Sequence, residues 1–85
     1  MWPLEYRVVE VGQTTTLWFQ ESTKKVVLWK VSNRRAGRII LCDSRVDNLD
    51  NARAVVLVLT AEPFKVIATF GKGEDDAATF AINGP

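Results

Sequence analysis

The chain has 85 residues, of which 47% are hydrophobic and 25% charged, and its formal net charge is +1. That size supports one domain, residues 1–85, with a single modest core, and a chain this apolar and this close to neutral is not disordered. It contains no histidine and one cysteine, Cys42, so Ser-His and Cys-His catalysis, thiolate zinc clusters and an internal disulfide are excluded within it.

Leu4 to Val11 alternates as a strand, with Leu4, Tyr6 and Val8 on one face and Glu5, Arg7, Val9 and Val11 on the other. Gly12-Gln13 interrupts it as a tight turn. Thr14 to Gln20 is rich in β-branched and aromatic residues and is expected to pair back on the first strand. Within it Leu17 and Phe19 are opposite in phase to Trp18, which marks Trp18 for the surface.

Glu21-Ser22-Thr23-Lys24 reads as a turn, and Lys25 to Val31 as the next strand. Trp29 is in phase with Val27 and Val31 and belongs with the core. Ser32 to Gly37 is a loop, and Arg38 to Asp43 a fourth strand around Ile39-Ile40-Leu41-Cys42. Cys42 reads there as a small buried side chain.

Ser44 to Arg53 is expected to form one or two helical turns or a structured loop, with Asp47 as the cap and Asp50 placing negative charge in a first turn. A helix continuing from 47 to 60 and packed on an antiparallel sheet is the alternative, an α+β fold; Val55, Val56 and Val58 oppose it.

Ala54 to Phe70 is the most apolar stretch. Val55 to Leu59 carries no polar side chain, and Phe64, Val66, Ala68 and Phe70 share one face. With a turn at Ala61-Glu62-Pro63, the pattern predicts a hairpin whose first strand is buried on both faces. Gly71 to Asp76 reads as an exposed loop, Ala77 to Ile82 as a last strand and Asn83-Gly84-Pro85 as a fraying end.

The fold class is mainly β, a small antiparallel barrel or sandwich of about six to seven short strands with at most one short helix. The early strands are expected to form a meander, and the longer segment after Asp43 to cross to a second sheet or close a barrel. The start of the chain lacks the pattern of a signal peptide, and no apolar run approaches the ~20 residues of a membrane span. With a single cysteine, the expectation is a soluble, cytoplasmic protein without membrane contact.

Neither Gly71-Lys72-Gly73 nor the acidic groups Asp43, Asp47, Asp50 and Glu74-Asp75-Asp76 match a phosphate loop or a calcium loop. We therefore expect no enzyme, no metal and no cofactor. The expected function is a protein-interaction module, partnering another protein or itself as a homodimer, with Trp2, Tyr6 and Trp18 as aromatic anchors.

One alternative is a nucleic-acid-binding barrel. Its basic rim would be Lys24, Lys25, Lys30, Arg34, Arg35 and Arg38, gathered by hairpin pairing of strands 25–31 and 38–43, with Trp18 as the stacking surface. A second alternative is a small-molecule-binding barrel lined by Tyr6, Trp18 or Trp29.

Overall fold

Most strands of this chain are apolar on alternate positions, and that pattern is satisfied by two sheets closing face to face. A computed structural model describes residues 4–20, 26–45, 47, 49, 51–71 and 77–83. Its strands are β1 (Glu5–Val8), β2 (Thr14–Gln20), β3 (Leu28–Val31), β4 (Gly37–Cys42), β5 (Asn51–Val58), β6 (Phe64–Thr69) and β7 (Ala77–Asn83). One sheet has the order β1-β7-β6-β3 and the other β2-β5-β4. All pairings are antiparallel except that of β1 with β7.

The fold is thus mainly β and sandwich-like, with no closed barrel and no helix among the described residues. β4–β5 and β6–β7 are consecutive neighbours in one sheet, whereas β1–β2, β2–β3, β3–β4 and β5–β6 pass between sheets. The first strand lies beside the last, in parallel, so both ends of the described chain meet in one sheet.

The core is made by the inward positions the alternation marks. Leu17 and Phe19 from β2, and Ala52, Val56 and Val58 from β5, meet Phe64, Val66 and Ala68 from β6 and Ala78, Phe80 and Ile82 from β7. Partly buried Trp29, Val31 and Ile39 close its side. An aromatic cluster joins the sheets: Phe19 lies 5.1 Å from Phe70 and 5.7 Å from Trp29, and Trp29 is stacked 6.1 Å from Phe80.

Several expectations are corrected. β1 and β2 are not a hairpin. Gly12 does turn the chain, with φ 87°, but its N–H donates to Val58 O at 2.8 Å, and the turn carries the chain from one sheet to the other. The link between β1 and β2 is a side chain: Arg7 Nη1 donates to Thr15 Oγ1 at 3.2 Å and to Thr16 O at 3.0 Å.

Ala54 to Phe70 is not a hairpin either, because β5 and β6 are inner strands of opposite sheets. The backbone N–H groups of Leu59 and Thr60 donate to Ala36 O at 2.8 and 3.3 Å, which draws the chain away from a return on β5. Pro63, with no N–H to give, precedes the first residue of β6. Each strand then offers one apolar face to a shared interior.

The segment after Asp43 is where a crossover was expected, and it is a return within one sheet. The helix of 47–60 is absent, since Asn51–Val58 is strand. Asp47 still caps backbone N–H groups, in the β4–β5 turn. Cys42 is exposed rather than buried, because β4 is an edge strand whose register shifts between Ile39 and Leu41.

Candidate functional site

Trp2, Lys24 and Lys25 lie outside the described residues. Tyr6 stands on the outer face of β1, 69% exposed, in register with Ala81. It borders a hollow with Pro63, Phe64 and Lys65. Trp18 stands on the outer face of β2, 54% exposed, in register with Arg53. The two aromatic anchors therefore occupy different sheets and share no cavity, and Trp29 points inward beside a third.

The basic residues divide. β3 and β4 are not hairpin partners; each is an edge strand of a different sheet. Stacking of the two sheets nevertheless brings Lys30, Arg34 and Arg38 to one open cleft of about 630 Å³, with Trp29, Val31, Gly37 and Ile39 as its other walls. Arg34 is set by the turn between the strands, where Asn33 O accepts from Ala36 N at 3.1 Å and Gly37 N at 3.2 Å. Asn33 Oδ1 accepts from Arg35 N at 3.0 Å. Arg35 is exposed and borders no part of this cleft. Trp18 is remote from it, because β2 and β4 lie on opposite sides of β5.

The outer face of β2-β5-β4 is a second surface. Its rows, read across the sheet, are Thr14–Leu57–Arg38, Thr16–Val55–Leu41 and Trp18–Arg53. Val55 and Leu57 are partly buried, and Leu41 is 67% exposed. Arg53 Nη2 donates to Asp47 Oδ2 at 3.3 Å, and its Nε lies 3.9 Å from Asp43 Oδ2. Asp47 Oδ1 accepts from Leu49 N at 2.8 Å and Asn51 N at 3.0 Å. Those backbone donors, and then the Arg53 charge, hold the Asp47 carboxyl below its ordinary pKa of 3.8.

Leu41, Val55 and Leu57 were not among the expected anchors. The signal for them is in the sequence all the same. Val55 to Leu59 is written as a strand buried on both sides, yet seven short strands in 85 residues leave no third layer to cover one of those sides. Compared with family models, with curated proteins and with solved structures, the chain matches none of them.

Proposed function

We propose that this chain is a protein-binding domain that works through the outer face of β2-β5-β4. One observation carries the reading: β5 is apolar on both faces from Ala54 to Val58, and the described residues bury one face fully and the other only in part. Its outward Val55 lies between Thr16 and Leu41 and its outward Leu57 between Thr14 and Arg38, with Trp18 opposite Arg53 in the row beyond Val55. Contiguous apolar surface with an aromatic side chain beside an arginine is the composition favoured at protein interfaces.

The first partner this face fits is a second copy of the chain. A flat face of β-branched and leucine side chains interdigitates with its own twin as the inner faces of a sandwich do, and a twofold contact needs only self-complementarity.

Sedimentation velocity over a range of concentrations tests this. The expected result is a reversible dimer that Leu41→Glu or Trp18→Ala converts to monomer with the circular dichroism spectrum unchanged. A monomer at every concentration, or a dimer indifferent to both substitutions, rejects it.

A further inference from the structure

A different surface carries a second reading; of its residues only Arg38 also stands on the outer face of β2-β5-β4, in the row of Leu57. We infer that the cleft between β3 and β4 binds an extended acidic peptide, which adds as a strand to the open edge of β3.

The backbone supplies the first part of the argument. Within a named strand β3 pairs only with β6; just before it Val26 bridges Arg45 and Val27 N donates to Ser44 O at 2.8 Å, so the open part of that edge runs from Trp29 to Val31. Ser32 N donates to Lys65 O at 2.9 Å, and Lys30 is in register with Ile67 two residues along. In an antiparallel ladder such positions alternate with positions that turn both backbone groups away. Trp29 and Val31 therefore direct N–H and C=O outward into the cleft. On β4, Leu59 N donates to Ala36 O at 2.8 Å, so by the same alternation Ile39 also faces away from β5. All three residues line the cleft.

Charge supplies the second part. Lys30, Arg34 and Arg38 line the cleft, and no carboxylate among the described residues pairs with any of them. Free strand edges are pairing templates, and positive charge on them repels a like edge while admitting an acidic strand. A second copy would set these cations against themselves. Nucleic acid fits less well, because phosphates offer only acceptors to a ladder of alternating donors and acceptors. Trp29, the cleft's aromatic ring, is also packed against Phe19 and Phe80 and commits its Nε1–H to Asp43 O at 3.0 Å. Strand addition uses donors and acceptors together.

The test uses a fluorescein-labelled decapeptide of alternating glutamate and valine, the same peptide with proline in place of its central valines, and a labelled oligothymidylate of equal length. Anisotropy gives affinity, and amide hydrogen exchange gives the site. The alternating peptide is expected to bind and to slow exchange at Trp29, Val31 and Ile39. Lys30→Glu and Arg34→Glu are each expected to weaken it by about tenfold at low salt, Trp18→Ala to leave it unchanged, and the proline peptide to lose binding. Absence of binding, binding without protection of those amides, equal binding of the proline peptide, or preference for the oligothymidylate overturns the inference. Loss of the dimer in the previous experiment bears on the other face alone.

Discussion

The rings of Phe19 and Phe70 stack at 5.1 Å, one from β2 and the other from the residue that follows β6, and so tie the two sheets together. They are 4% and 3% exposed, and Trp29 closes on Phe19 from the side. With one cysteine in the chain, no internal disulfide can join the sheets, and these rings make a direct contact between them.

Phe70→Ala is therefore expected to lower stability by about 3–5 kcal/mol, the range for emptying a buried aromatic site. Urea unfolding followed by circular dichroism measures it. A loss below ~1 kcal/mol would show that the rings do not hold the sheets.

Two glycines are required for opposite reasons. Gly37 is buried, and a Cβ built there falls onto the ring of Phe64, itself buried in the core. Gly12 has open space around it but a φ of 87°. Gly37→Ala is expected to cost about 1–3 kcal/mol through overpacking, and Gly12→Ala about 1–2 kcal/mol through left-handed backbone strain. A compensating Phe64→Leu recovers part of the first loss and none of the second; equal recovery of both would refute the assignment.

Asp47 makes the β4–β5 turn sensitive to acid. Its folded-state pKa lies below the ordinary 3.8, so the ionised carboxylate stabilises the fold above that value. The contribution is lost as the pH falls through the lowered folded-state pKa. The unfolding midpoint of the wild type is expected to drop more steeply with acid than that of Asp47→Asn, with the difference concentrated below pH 3.8. Parallel curves for the two proteins in that window would count against the hydrogen bonds from Leu49 and Asn51 as its cause.

The alternation within strands was legible from the residues alone. Phe64, Val66 and Ala68 face inward together, Trp18 faces out, Trp29 joins the core with Val27, and the Gly12 turn is real. These follow from the period of two in a pleated strand, which is local. Of the candidate anchors, the exposure of Trp18 was readable in the same way, whereas Tyr6 shares its phase with Leu4 and Val8 and its 69% exposure was not. That they lie on separate sheets was not.

Strand partnership belonged to the tertiary structure. Sequence proximity suggested that β1 pairs β2 and β5 pairs β6, yet β1 lies beside β7 and β5 and β6 face each other across the core. A strand's pattern says which face is buried but not which edge is bonded, because any extended backbone offers the same ladder of donors and acceptors. The same choice decided the surfaces. Lys30 and Arg38 border one cleft because edge strands of two stacked sheets lie side by side, and the outer face of β5 is only partly covered because the described residues form two layers where its apolar run would fill the middle of three.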